Sequence, residues 1–261
     1  NMEFTQLSFS IIGNIARVTL NRPAKRNALN DKLIRELTDI FIQISKNENI
    51  KAVILSGAGE AFCSGADLEY LRQISSYSIE ENQEDSRRLL RLYQSIYELR
   101  KPVVAMVNGP ALAGGCGLAT VCDFIIASEQ EAKFGYPEVK IGFIPAIVLI
   151  YLIKRIGEGK ARELVLTGKI ITAKEALTIG LINNMVNHDD LENYAINFVN
   201  ELIEINSGTA MGLCKEMFTT FGSMDTKQAL EYAANLNAFT RLTPDCKKGI
   251  NSFLNKEKIK W

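Results

Sequence analysis

The spacing of hydrophobic and polar positions changes several times along the chain, and each change marks an element. Residues 4–20 read as two strands: Phe4 to Phe9 alternates, Gly13-Asn14 is a turn signal, and Ala16 to Leu20 follows. The period then lengthens. Leu33, Leu37, Ile40, Phe41 and Ile44 recur at helical spacing behind Asn30, a residue suited to cap a helix. Ala52 to Leu55 is a short apolar strand closed by Gly57 and Gly59. Ser78 with Glu81 predicts a capping box, and Leu89, Tyr93, Ile96 and Tyr97 share one face of the helix it opens. Pro102 stops that helix before Val103 to Val107, a second buried strand. Small residues dominate from Asn108 to Gly117, with a helix running on to about Cys122, and Asp123 to Ala127 is strand again. Short apolar strands alternating with helices predict an α/β core, because a strand without polar alternation is covered on both faces.

From about residue 145 the strands nearly vanish. Thr172 with Glu175 is another capping box, Gly180 ends that helix, and Leu181 to Val186 is one last strand-like piece. Helices follow near 190–205, 208–221, 226–241 and 244–254, the last with Thr243 as cap and Pro244 at its first position. The pattern divides the chain into an α/β body over residues 1–200 and a helical region over 201–261. It shows no repeat of fixed period and no low-complexity linker.

Composition narrows the picture. Of 261 residues, 47% are hydrophobic and 23% charged, which suits a globular chain and disfavours disorder and coiled coil. Lys+Arg and Asp+Glu are both 30, so no positive excess recommends a nucleic acid or an anionic membrane as partner. The most apolar stretch, Ile141 to Ile153, is too short to span a bilayer and contains Pro145. Asn1 before Met2 reads as an expression scar, with no signal peptide, and the expected location is the cytoplasm. A single histidine, His188, excludes multi-histidine zinc sites and leaves a Ser-His-Asp triad only one possible base. Five cysteines, an odd number with no C-x-x-C pair, read as reduced and mostly buried thiols.

The glycine-bearing loops carry the candidate chemistry. Gly57-Ala58-Gly59 is not a dinucleotide fingerprint, since Phe62 stands where the third glycine belongs; Gly109 to Gly117 lacks the Gly-Lys-Ser/Thr ending of a phosphate loop. Two loops remain, Cys63-Ser64-Gly65-Ala66-Asp67-Leu68 and Ala113-Gly114-Gly115. Each follows a buried strand and opens a helix. Backbone N–H groups at a helix start are unpaired and sit at the positive end of its dipole, and two of them converging on one point make an oxyanion hole. Small side chains would let a carbonyl approach; the plainer reading is a pair of ordinary tight turns.

At these residues the sequence resembles the crotonase superfamily, the enoyl-CoA hydratase/isomerase family. The matching pieces run in family order: Asn21 to Leu29, Ala61 to Leu68, Lys101 to Gly109, Ala113 to Ala119 with Cys122-Asp123, Phe134 to Gly142, Leu166 to Gly168, and Ala173 to Ile182. The resemblance implies a crotonase-like spiral of ββα turns and a C-terminal helical region supporting a homotrimer or a dimer of trimers. It implies an acyl-CoA thioester as substrate, with CoA entering as part of the substrate and no separate cofactor or metal. Carried over by position, the oxyanion hole is the backbone N–H of Ala66 and of Gly114. Ala28, Ala66, Asp67 and Leu68 line the CoA arm, Arg26 or Lys25 meets its phosphates, and Gly115 and Gly117 complete the binding surface.

One departure matters. Hydratases of the family commonly carry two glutamates, at positions matching 117 and 138, and here they are Gly117 and Glu138. Glu138 is then the single acid/base, helped if an apolar pocket raises its pKa. One glutamate suits hydration of an enoyl-CoA; it also suits a Δ3,Δ2-enoyl-CoA isomerase, or a non-catalytic acyl-CoA binder. The segment Glu138-Val139-Lys140-Ile141-Gly142-Phe143-Ile144-Pro145-Ala146 is similar to methylglutaconyl-CoA hydratase-like members, which favours hydration. Of the remaining groups, Asp67 is expected to cap a helix and Asp123 to anchor a strand start. Glu81 and Glu84 lie on a helix that in this family can border the acyl pocket. Cys63 and Cys116 lack an activating histidine and read as structural, Tyr136 as packing, and His188 as a surface residue.

Overall fold

Four times in succession the chain lays a strand in one sheet, passes through a short extended segment in a second layer, and continues into a helix. The computed structural model describes residues 4–261, so Asn1 and Met2 lie outside it. The first sheet holds β1 (Leu7–Ile12), β2 (Ile15–Leu20), β3 (Ala52–Gly57), β4 (Val103–Val107), β6 (Phe124–Ser128) and β9 (Asn184–Val186), hydrogen-bonded in that order. Only β1 and β2 are antiparallel, as a hairpin; every later pairing is parallel. The second layer contains β5 (Ala111–Leu112), β7 (Lys133–Gly135) and β8 (Ile170–Thr172), extended by isolated parallel bridges Cys63–Ala111 and Leu29–Ala66. The helices of the four turns are α1 (Asp31–Lys46), then α2 (Leu68–Ile74) with α3 (Ile79–Tyr97), then α4 (Gly114–Thr120), then α5 (Ala146–Thr167). This is the ββα spiral that the resemblance implied.

Local chemistry explains the boundaries. Asn30 accepts from the Leu33 amide, and Ser78 with Glu81 and Thr172 with Glu175 form reciprocal capping boxes, the latter opening α6 (Ala173–Thr178). The first strand starts at Leu7 and not at Phe4, because the Glu36 carboxylate on α1 takes the Thr5 and Gln6 amides (Oε1 at 3.1 Å, Oε2 at 2.8 Å) and diverts them from a ladder. The central strands are apolar throughout for a visible reason. Val53, Leu55, Val103, Ala105 and Ile125 face the main core, while Ile54, Val104, Met106 and Ile126 face α7 (Leu191–Ile205). That helix answers with Leu191, Ala195, Val199 and Ile203, a stripe at every fourth residue.

The chain ends in α8 (Gly208–Thr220), α9 (Thr226–Thr240) and α10 (Pro244–Leu254). A buried clamp ties α8 to the core: Lys215 Nζ donates to Asp123 Oδ2 at 2.6 Å and to the Lys101 carbonyl at 3.0 Å. Asp123 also accepts from the Val103 amide at 2.7 Å, which is the strand anchoring expected of it. Burial nevertheless leaves its carboxyl above the ordinary value, outweighing Lys215. By contrast α9 and α10 bury no residue within the chain, and Leu230, Phe239, Leu242, Phe253 and Leu254 are exposed on and beside them. No helix among the described residues is long and apolar enough to cross a membrane.

Removing one partner of the clamp strands the other in a poorly hydrated site. Lys215→Met should therefore cost about 3 kcal/mol in denaturant unfolding, and Lys215→Met/Asp123→Asn should recover part of that loss.

Candidate active site

Three short segments of the second layer run parallel and share one rung: Cys63 pairs with Ala111, and Ala111 with Phe134. Parallel strands all leave the layer at the same edge. Three residues beyond the rung lie Ala66 and Gly114, and four beyond it lies Glu138. The residues carried over as catalytic are thus delivered to one edge by register alone.

The amides there are directed by pairing. At the Leu29–Ala66 bridge, the Leu29 N–H donates to the Gly65 carbonyl (2.6 Å) and the Leu29 carbonyl accepts from the Asp67 N–H (2.9 Å). Leu29 is thereby satisfied by the neighbours of Ala66, so the N–H of Ala66 itself points away from the ladder. Gly114 is the first residue of α4, where an amide has no partner within the helix. Its predecessor Ala113 donates to the Gly135 carbonyl at 2.8 Å, which fixes α4 against the strand leading to Glu138. Ala113 holds φ 50°, ψ −127°, a conformation that disfavours any side chain. Close contact is compulsory: a Cβ on Gly115 would lie 2.1 Å from the Cys63 carbonyl oxygen. At its other end α4 is held by Arg155, whose guanidinium donates to the carbonyls of Thr120 (3.1 Å) and Cys122 (2.7 Å), a cation at the negative end of the helix.

Glu138 sits in a 3-10 turn, Pro137–Ile141, opened by a fully buried Tyr136 whose hydroxyl pairs with Thr120 Oγ1 at 2.7 Å. The residue is 8% exposed, and its Oε2 is buried without a hydrogen-bond partner. Burial raises its pKa; a bond from its own backbone amide opposes this and does not prevail. Tyr93, fully buried, donates from its hydroxyl to the Gly114 carbonyl at 2.9 Å and lies within electrostatic reach of Glu138.

Position 117 is filled. A Cβ on Gly117 would fall 2.2 Å from Val148 Cγ1, on α5, and 3.2 Å from the Tyr93 hydroxyl. The volume a first glutamate would need is taken by a valine, and both Gly115 and Gly117 are buried in packing.

The other expected positions separate clearly. Asp67 caps α2 by accepting from the Glu69 amide (2.9 Å), as expected, and also pairs with Arg22 at 2.7 Å. Burial pushes its carboxyl up, but the Arg22 and Glu69 bonds win and hold it below the usual value. Arg22 was not singled out from the sequence, although it and Asp67 both lie in quoted motif segments. Its guanidinium also bonds the Ala28 carbonyl, so it clasps both strands of the Leu29–Ala66 bridge. Asn27, buried at φ 55°, staples the same turn to the Ala58 and Ala61 carbonyls (2.9 and 2.8 Å). Ala28 is buried, while Ala66, Leu68 and the side chains of Lys25 and Arg26 are exposed beside this edge. A cleft of about 490 Å³ flanks α2, but its charges are spent on one another, as Arg22–Asp67, Arg88–Asp31 and Arg35–Asp31.

Glu81 is used in its capping box and Glu84 pairs with Arg91 at 2.6 Å in an exposed position, so neither joins the edge. Burial pushes the thiols of Cys63 and Cys116 up to about 12 and about 11, which suits structural roles. His188 bonds Ser128 and Gln130, away from the rung. Among the described residues no group of three or more His, Cys, Asp or Glu could hold a metal ion.

Comparison with known proteins gives the family and the fold. A family model described as Enoyl-CoA hydratase/isomerase matches residues 10–261. The chain is 34% identical over 260 residues to the short-chain-enoyl-CoA hydratase of Clostridium acetobutylicum, covering 99% of this chain and 98% of that one. It is 32% identical over 249 residues to the crotonyl-CoA hydratase of Syntrophomonas wolfei, covering 95% and 94%. Its fold superposes on the crystal structure of an enoyl-CoA hydratase from Shewanella pealeana with a TM-score of 0.92 at 30% identity, covering 99% of this chain and 97% of that one.

The strain at Ala113 is separable from the rest of the site. Ala113→Gly should raise stability by about 1 kcal/mol, net of glycine's greater unfolded-state entropy, and shift Tm upward by a few degrees in calorimetry.

Proposed function

The chain belongs to the enoyl-CoA hydratase/isomerase family, and from that membership and the geometry of its edge we propose that it adds water across the 2,3 double bond of an enoyl-CoA thioester with Glu138 as sole acid/base. The observation that carries the reading is the buried, unpartnered Oε2 of Glu138, at the edge to which the same register brings the ladder-free N–H groups of Ala66 and Gly114. The thioester oxygen accepts from those two amides. Glu138, ionised, takes a proton from water as the water oxygen bonds to C3, and the π electrons move onto the thioester oxygen as an enolate. The enolate collapses, C2 takes the proton back from Glu138, and the carboxylate is restored. Fixed amide donors aimed at the developing charge are worth about a hundredfold or more in rate each. The relatives named as hydratases support hydration over a Δ3,Δ2 shift. In this reading Ala28, Asp67 and Leu68 shape the path of the CoA arm, and Lys25 or Arg26 meets its phosphates from the exposed turn.

The same reading extends to assembly. The uncovered apolar side chains of α9 and α10 suit burial against other copies of the chain in a homotrimer or dimer of trimers. Sedimentation equilibrium should give three or six chains, and a monomer would refute it.

Glu138→Gln should abolish the loss of ultraviolet absorbance when crotonyl-CoA is hydrated, while saturated acyl-CoA still binds with a Kd within about twofold of wild type. Unchanged turnover would sink the assignment. Because the carboxylate is the working form, kcat/KM should rise with pH to a midpoint above the ordinary glutamate value. Stability runs the other way. The cost of ionising this raised group is absent below the ordinary glutamate pKa and complete above the folded one. Glu138→Gln should therefore melt higher than wild type at neutral pH and with it near pH 3.

A further inference from the structure

The absence of a glutamate at position 117 is matched by a contact that takes its place. Gly114 and Gly117 are three residues apart on α4 and so lie on one face. Both face the Tyr93 hydroxyl: a Cβ on Gly114 would lie 3.3 Å from that oxygen, and one on Gly117 3.2 Å. The two missing side chains open a slot into which Tyr93 reaches from α3, and at its end the hydroxyl donates to the Gly114 carbonyl at 2.9 Å. Ala113 offers no side-chain hydrogen bond to the amides of α4, so the contacts that fix its first turn come from outside the helix. The Gly135 carbonyl, accepting from the Ala113 N–H at 2.8 Å, fixes one side of that turn. Tyr93 holds it from outside the helix, gripping Gly114 by its carbonyl and leaving its N–H free.

We propose that Tyr93 is a positioning residue of the oxyanion hole, its hydroxyl fixing the Gly114 amide through the slot that Gly114 and Gly117 leave open. Gly117 is accordingly the seat of this contact, with Val148 closing the other side, and single-carboxylate chemistry is built into the packing. The phenol is suited to the task. Burial, then the nearby Cys63, Glu138 and Cys116, raise its pKa well above the ordinary tyrosine value, so it remains a neutral donor across the working range.

Tyr93→Phe tests this, because it removes the hydroxyl and keeps the ring that fills the core. The role rests on the hydratase reading for its kinetics alone, so a second measurement is independent of turnover. Acetoacetyl-CoA bound in an oxyanion hole is drawn towards its enolate, which absorbs in the near ultraviolet, and the size of that band reports how well the two amides are aimed. In the Phe variant kcat for crotonyl-CoA hydration should fall at least tenfold, with KM within about twofold. The midpoint of the pH profile should stay put, since Glu138 is untouched, and the enolate band should shrink by a similar factor. A Phe variant that keeps both kcat and the band would overturn the proposal. So would a shifted midpoint, which would mean that Tyr93 acts on Glu138 instead of Gly114. Wild-type protein that binds acetoacetyl-CoA without any enolate band would overturn it as well. Wild-type protein that gives the band but hydrates nothing would refute the hydratase reading alone, and the band would then decide the role of Tyr93.

Discussion

The site depends on how closely two backbones approach each other. The Cys63–Ala111 bridge presses the start of α4 onto the strand that precedes Ala66, so tightly that one methyl group at position 115 would overlap the Cys63 carbonyl oxygen. Everything that makes the edge chemical follows from that contact. It sets Ala66 and Gly114 at equal distance from a common rung, and it forces the loop to be made of small residues. It also carries Ala113 into a conformation that alanine tolerates only at a cost of about 1–3 kcal/mol. The spiral is the means of arranging this: each turn adds one short parallel segment to the second layer, and three consecutive turns end at one edge. A flat sheet with long connections could place any one of these groups, but register is what places all three.

The clasp by Arg22 belongs to the same logic. An amide is a useful donor only if it does not turn to find another acceptor, and a backbone segment of four residues has little rigidity of its own. Arg22 ties Asp67 to the Ala28 carbonyl across the bridge, and Asn27 ties the preceding turn to residues 58 and 61. The Arg22 bonds are half-buried and charge-assisted, stronger than neutral ones and less screened than surface pairs. The charges flanking α2 therefore hold the shape of this edge, while Lys25 lies 3.8 Å from Glu69 and Arg26 is exposed beside it.

Much of the fold was legible in the chain. The capping residues at 30, 78, 172 and 243 mark the starts of α1, α3, α6 and α10, because caps are local, whereas α3 ends at Tyr97, short of Pro102, and α5 had no such signal. The start of β1 was not legible, since it is decided by a carboxylate thirty residues away. The two amides and Glu138 were read from motifs, and the register of the second layer brings all three to one edge. What sequence spacing could not show was the content of the space beside Gly117. Val148 lies 31 positions on and Tyr93 24 positions back, and neither carries a local signature that distinguishes it from ordinary core. Arg22 was hidden for the same reason: its role is visible only when its partner, 45 residues later, is in place.

The missing glutamate changes what the remaining one must do. With two carboxylates, proton removal from water and proton delivery to carbon can be divided between groups held at different pKa values. With one, the same oxygen pair must accept a proton and return it within a single passage, which demands a pKa close to the working pH from both directions. A buried carboxyl with one unpartnered oxygen meets that demand and pays for it in folding stability. The packing of Val148 and Tyr93 around Gly117 makes the arrangement self-consistent. That volume is taken by Val148 and the neutral Tyr93 and holds no second carboxylate, while burial raises the pKa of Glu138. A second carboxylate in the same space would alter this balance through like-charge repulsion as well as volume. The single-carboxylate state is thus a property of the whole pocket, distributed over α3, α4 and α5, and not of position 117 alone.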